Sequence, residues 1–191
     1  MVIAQRRYTV DEWMGSPQNT TLSELVDGIP VARMPTSGDH AEVANVMWRW
    51  LDQAHLAGYG RMYAGPAGVL LDPDGARNNV REPDFCFFRQ GRNPKRASKG
   101  IEGVPDFVVE ILSPGNWKDD LAGGSVWNSY ERFGVPLYWI VDPEARTVTQ
   151  YEHRRGGFVE LARLHATDVL TCPLFPDLTL PVANLFVRLD T

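Results

Sequence analysis

The sequence predicts one α/β domain, a mixed sheet packed by helices, and three observations carry that prediction. Phe107–Leu112 (FVVEIL) and Leu137–Val141 (LYWIV) are nearly unbroken apolar runs, as expected of strands buried on both faces. Helical periodicity lies before and between them. Short apolar stretches around turn residues at both ends of the chain read as hairpins. The 191 residues suit a single domain over 1–191.

In chain order, Thr9-Val-Asp-Glu12 has the form of a capping box, so a short helix should start near Val10. Leu22–Val31 folds back at Asp27-Gly28 as a hairpin. Asp39–Ala57 is the clearest helix. Val43, Val46, Met47, Trp50, Leu51 and Ala54 fall on one face, and Gly58 and Gly60 end it. Ala67–Leu71 and Asp84–Phe88 read as strands, the second entered through Pro83. A helix is expected over Lys118–Phe133, weakened by Gly123-Gly124. Thr147–His153 and Phe158–Leu164 flank Arg154-Arg155-Gly156-Gly157 as a last hairpin. Trp48, Trp50, Trp127 and Trp139 read more simply as core or self-contact residues than as base-stacking platforms.

Composition narrows the function classes. Hydrophobic residues are 43% and charged residues 23%, which argues for a folded globule rather than a disordered chain. No apolar run approaches the ~20 residues of a membrane span. MVIAQRRYTV at the N-terminus lacks the apolar stretch of a secretory signal. The two cysteines, Cys86 and Cys172, make neither a disulfide framework nor a zinc cluster, so a reducing cytoplasm is the expected setting. A net charge of −5 excludes a uniformly basic nucleic-acid binder and leaves room for a local patch. Arg89, Arg92, Lys95, Arg96 and Lys99 form such a cluster, either as phosphate contacts or as a solvated loop. Only three lysines exist, Lys95, Lys99 and Lys118.

Glu110 is the conspicuous residue. It is the one charge in Phe107–Leu112, and a buried lone carboxylate is costly unless paired, protonated or metal-bound. Asp84 follows Pro83 at the mouth of an aromatic strand, and Pro105-Asp106 repeats that opening before FVVE. Glu24 sits among apolar neighbours in the first hairpin. Each has a plain reading: a strand end, a turn residue, a solvated hairpin charge. Grouped, they suit Mg²⁺ or Mn²⁺, which take hard oxygen ligands and assist attack on phosphate. His40 opens the long helix, where a histidine by itself reads as polar surface.

Glu24 in SELVDG, His40 in TSGDHAEV, Asp84 in REPDFCFF, Glu110 in VPDFVVEILSP and the run YERFGVPLYWIVDP occur in a characteristic order. Together, over about residues 8–186, they resemble the Uma-two family of restriction-endonuclease-like proteins within the PD-(D/E)XK nuclease superfamily. The resemblance implies a restriction-endonuclease-like fold, a central mixed sheet flanked by helices with added hairpins. It also implies metal-dependent hydrolysis of DNA phosphodiesters, and suggests a homodimer. Asp84 and Glu110 match the acidic metal-binding pair, Glu24 matches the N-terminal glutamate of such sites, and the family position of His40 implies a place at the site's edge. The superfamily's lysine, two residues past the acidic strand residue, is Leu112 here. Within the family that lysine moves to a helix one turn before a tyrosine. Tyr130 matches the tyrosine, but the position four earlier is Val126. Lys118, at the start of the expected helix, is then the candidate catalytic cation.

Three readings compete: a Mg²⁺-dependent endodeoxyribonuclease, a catalytically inactive relative serving as a binding module, and an unrelated α/β binding protein with a structural Glu110. The first places Asp84 and Glu110 around one cation with Glu24 at the rim, and the basic cluster, between the two strands, beside that site. The apolar run Val182–Val187 is a candidate dimer patch or else core.

Overall fold

The computed structural model describes residues 6–16, 23–97, 100–115 and 117–189. The chain opens with α1 (Val10–Met14), whose capping box is complete: Thr9 Oγ1 accepts from the Glu12 amide, and Glu12 Oε2 accepts from the Thr9 amide. β1 (Ser23–Val26) and β2 (Ile29–Ala32) form the first hairpin. Its two turn residues, Asp27 and Gly28, have φ of 48° and 81°, the left-handed pair that a tight hairpin turn requires. Leu22 lies outside the described residues. α2 (Gly38–Leu56) follows, capped by the Ser37 hydroxyl.

Short strands come next: β3 (Gly60–Ala64), β4 (Val69–Leu70), β5 (Val80–Arg81), β6 (Phe85–Arg89), β7 (Lys95–Ala97) and β8 (Gly100–Glu102). β9 (Phe107–Ile111) then leads through α3 (Trp117–Asp120) and α4 (Ser125–Arg132) to β10 (Leu137–Asp142). The chain ends with β11 (Thr147–Arg154), β12 (Gly157–Leu164), β13 (Val169–Thr171), β14 (Thr179–Pro181) and α5 (Val182–Leu185).

One six-stranded sheet runs β12-β11-β10-β9-β6-β3. β9 and β10 are parallel, joined by the α3–α4 crossover, and the remaining pairs are antiparallel. Every residue of β9 is buried, as are the first five of β10, so the two apolar runs are interior strands. Alternate residues divide between two cores. Phe85, Phe87, Phe107, Val109, Ile111, Trp139 and Val141 meet Val43, Met47, Trp50, Leu51 and Ala54 of α2. Cys86, Phe88, Val108, Tyr138 and Ile140, on the other face, meet α4 through Val126, Trp127 and Tyr130, and the second sheet through Val69 and Ile101. Each large side chain so buried contributes ~1.5–3 kcal/mol. The second six-stranded sheet, β2-β1-β5-β4-β8-β7, carries α1 through Val10, Trp13, Leu25, Leu70 and Val80.

One sequence expectation changes, and two open alternatives are narrowed. The helix expected over 118–133 is two helices. Gly123 has φ of 86°, and a Cβ on Gly124 would collide with the Lys118 carbonyl oxygen, so the chain turns sharply there. Trp50, Trp127 and Trp139 are core, but Trp48 is 45% exposed. In the proposed dimer patch, Val182, Leu185 and Phe186 are buried in this chain's own core, leaving Val187 exposed. In the second sheet the hairpin β1–β2 and β4 match the expected Leu22–Val31 and Ala67–Leu71, but β5, β7 and β8, of two or three residues each, have no counterpart in the sequence reading. No helix among the described residues is long and apolar enough to cross a membrane.

Candidate active site

The site forms where both sheets and α3 converge. β6 and β9 are antiparallel, with Phe85 opposite Val109 and Phe87 opposite Phe107. That register sets Asp84, just before β6, beside Glu110 near the end of β9. The Asp84 amide donates to Glu110 Oε2 at 3.2 Å, and the Ile111 amide donates to Asp84 Oδ2 at 2.8 Å. The same antiparallel pairing sends Asp106 to the far end of the sheet, where it accepts from the Arg89 amide. The two Pro-Asp openings therefore do not converge.

Glu110 is buried on the α4 face, and the Tyr130 hydroxyl donates to its Oε1 at 2.7 Å. Burial, then the Asp84 and Asp120 charges, push the Glu110 carboxyl well above the usual carboxylate range. Burial likewise raises the Tyr130 phenol, so it keeps its proton to donate. His40, in the first turn of α2, lies with Nε2 2.9 Å from Asp84 Oδ2, which puts it directly on the site.

Glu24 stands in β1 across from β5, where Leu25 faces Val80. The next pair in that register is Glu24 and Arg81. Arg81 Nη1 donates to Glu24 Oε2 at 2.7 Å, and the Glu82 amide donates to Glu24 Oε1 at 2.9 Å. Arg81 is 1% exposed and also donates to Ser129 Oγ and the Ser125 carbonyl oxygen of α4. Glu24 is thus one half of a buried ion pair that ties the second sheet to α4.

A cavity of about 100 Å³ joins these groups. Glu24, Asp84, Glu110, Asp119 and Asp120 line it, with Arg33 as the sole lysine or arginine among the lining residues. Arg33 approaches Asp84 Oδ1 at 3.9 Å and Glu82 Oε2 at 3.4 Å. Lys118 is exposed, with Nζ 5.4 Å from the Trp117 ring centroid, and does not line the cavity.

Sequence reasoning missed Asp120, Arg33 and Arg81. Asp120 is buried, and its carboxylate has no hydrogen-bond or ion-pair partner among the described residues. Burial first, then Asp84, Glu24 and Asp119, push its carboxyl up to about 8. A raised acid favours the fold while protonated. Its contribution is full below the ordinary ~3.9 of an unfolded aspartate and is lost as pH rises through about 8. Thermal melts in EDTA at pH 5 and pH 8 should therefore show a smaller loss of Tm for Asp120→Asn than for the unmodified protein. Parallel losses would contradict the buried, unpaired placement of this group.

The donor set fits a hard divalent cation. Carboxylates crowd one cavity with too little positive charge, and the buried Ser113 hydroxyl that also lines it has no hydrogen-bond partner among the described residues. Among the described residues no three acidic or imidazole groups are drawn together as a ready cage. Glu24 is held by Arg81, and both Glu110 oxygens accept hydrogen bonds, from Tyr130 and the Asp84 amide. Asp84 and Asp120 are the least engaged donors, and Glu110 stands beside them. One or two carboxylates completed by water is the usual Mg²⁺ environment.

The basic cluster lies elsewhere. Arg89 is five residues from Asp84 along β6, ~17 Å at strand spacing. Arg89 and Arg92 pair with Asp106, and Lys95 with Glu102. Arg96 is exposed on β7, and Lys99 lies outside the described residues. β7 and β2 are opposite edges of their sheet. The expectation that this cluster borders the carboxylates is corrected: the β6–β9 connection leaves from the wrong end of the strand.

Together the mixed sheet, its crossover and the acidic cavity define a restriction-endonuclease-like protein. A solved structure from Anabaena variabilis ATCC 29413, described as a "putative nuclease belonging to DUF820", has the same fold, with a TM-score of 0.71 at 20% identity, covering 95% of this chain and 99% of that one. No curated protein matches. The family model described as "Putative restriction endonuclease" matches residues 12–183, and the chain belongs to that family, Uma2.

Proposed function

We propose that the protein is a divalent-metal-dependent endonuclease that hydrolyses DNA phosphodiesters, working as a homodimer so that two copies serve two strands. The observation that carries this reading is the convergence of Asp84, Glu110 and Asp120 on one cavity with Arg33 as its cation. Asp84 and Asp120, supported by Glu110, would hold Mg²⁺ or Mn²⁺. When bound, that ion supplies charge neutralisation at the phosphate and a more acidic water.

The chain's own groups do the rest. His40 and the Ile111 amide engage Asp84 Oδ2, which leaves Oδ1 for the cavity. Tyr130 fixes Glu110 by its Oε1. Arg33, 3.9 Å from Asp84, offers a guanidinium to a phosphate oxygen as its charge grows. Lys118, two residues before Asp120, is the second candidate for that task. Arg89, Arg92, Lys95, Arg96 and Lys99 would serve duplex DNA only at a distance from the reacting phosphate.

Supercoiled plasmid incubated with Mg²⁺ or Mn²⁺ should be nicked and linearised. EDTA should stop the reaction, and Asp84→Asn should reduce it at least ~10²-fold. A protein that binds Mg²⁺ at this cavity by titration calorimetry but cuts neither plasmid nor oligonucleotide would instead be an inactive binding module.

A further inference from the structure

Beside the acidic cavity runs a second groove, of about 680 Å³. The two share Arg33, Met34, Thr36, His40 and Asp84. Its far wall is α2, where Ala44, Asn45 and Trp48 line it. Trp48 is 45% and Met34 57% exposed, a costly pairing of large apolar surface with water unless something covers it. Asn45 and Trp48 stand three residues apart, so they are neighbours on one helix face.

We infer that this groove is a subsite for an unpaired nucleobase of the DNA strand whose phosphate is held at Asp84, with Trp48 as its stacking wall and the Asn45 amide facing the base edge. This rests on the nuclease reading of the neighbouring cavity. Continuity identifies the occupant, because a strand leaving the carboxylates past His40 and Arg33 enters the groove directly. Size agrees, since the volume falls in the ~300–1,000 Å³ range of small-ligand sites. So does reach: His40 and Trp48 are eight residues apart on α2, ~12 Å along the axis, or three to four nucleotides at the ~3.4 Å stacked rise and fewer if extended. Chemistry favours a base as well. An indole stacks on any base face, and the asparagine amide both donates and accepts. A paired base keeps its faces in the duplex, so the subsite selects single strands, frayed ends or extruded nucleotides.

The test is fluorescence anisotropy with a short labelled single-stranded oligonucleotide, in Ca²⁺ to occupy the cation site. The unmodified protein should bind this strand more tightly than the same sequence as a blunt duplex. Trp48→Ala should weaken binding ~10-fold, within the range for loss of one base stack, and Trp48→Phe should restore most of it. Scanning an abasic nucleotide along the strand should reveal one or two positions that cost the unmodified protein affinity and cost Trp48→Ala nothing further. Trp48 is exposed, so folding of the variant is not at stake, and circular dichroism checks it. Equal affinity of Trp48→Ala and the unmodified protein overturns the subsite, as does an equal abasic penalty in both. Light scattering supplies a third overturning result: a dimer that Trp48→Ala dissociates without loss of oligonucleotide affinity, which gives the groove to a second copy. The nuclease reading fails separately. If no cleavage is found but the Trp48 dependence holds, the subsite stands on a binding protein.

Discussion

Arg81→Ala should destabilise the protein by about 3–5 kcal/mol, the cost of stripping the partner from a buried charge. A domain has only ~5–15 kcal/mol of net stability to lose. The guanidinium is 1% exposed and donates to the Glu24 carboxylate, the Ser129 hydroxyl and the Ser125 carbonyl oxygen. Alanine would leave Glu24 buried with only the Glu82 amide to answer it. It would also untie α4, whose Tyr130 fixes Glu110. The loss arises from an orphaned charge rather than from the net worth of the pair. Removing both charges by Glu24→Leu with Arg81→Met should therefore recover most of the stability, while Glu24→Gln with Arg81→Ala recovers part. Urea denaturation followed by tryptophan fluorescence measures all four proteins. A single-variant loss under about 1 kcal/mol would place the pair among exposed ion pairs and contradict its burial.

The pair also shows where a sequence stops being legible. Glu24 stood out in the first hairpin, but nothing local marks Arg81 as its partner. That follows from β5 pairing with β1, a contact 57 residues apart in the chain. β5, β7 and β8 of the second sheet were missed for the same reason: they are too short to show a period, and the order β1-β5-β4-β8 is fixed by long-range pairing. By contrast, β9 and β10 were legible because burial on both faces leaves an unbroken apolar run. α2 was legible because one face repeats over five turns. At the site, Asp84 and Glu110 could be paired from a Pro-Asp opening and a lone strand glutamate. Asp120 could not, since Lys118-Asp119-Asp120 reads as an exposed helix start. Its burial depends on the glycine turn that returns the chain to α4. The basic cluster misled because proximity in sequence to β6 and β9 says nothing about which end of an antiparallel pair the connection occupies.

The position of the catalytic cation is the largest functional consequence. Val126 and Leu112 occupy the places where a lysine is expected, and Lys118 points its ammonium over the Trp117 ring on an exposed helix. Arg33 lines the cavity, close to both Asp84 and Glu82. Arg33→Ala should thus lower kcat by ~10²–10³-fold, the usual cost of deleting a donor aimed at transition-state charge, with KM changed far less. A guanidinium and an ammonium differ in reach and geometry, so Arg33→Lys should recover only part of the rate. Metal affinity gives an independent sign. Removing a positive charge from an acidic cavity strengthens its attraction for a cation, so Mg²⁺ should bind Arg33→Ala at least as tightly as the unmodified protein. A merely structural role for Arg33 would loosen the carboxylates and weaken the metal instead. Lys118→Ala is the decisive companion. If it loses as much kcat as expected for Arg33→Ala, while Arg33→Ala keeps full activity, the cation comes from α3. If neither variant slows a cleaving enzyme, hydrolysis here proceeds on the bound metal and the carboxylates without a protein cation.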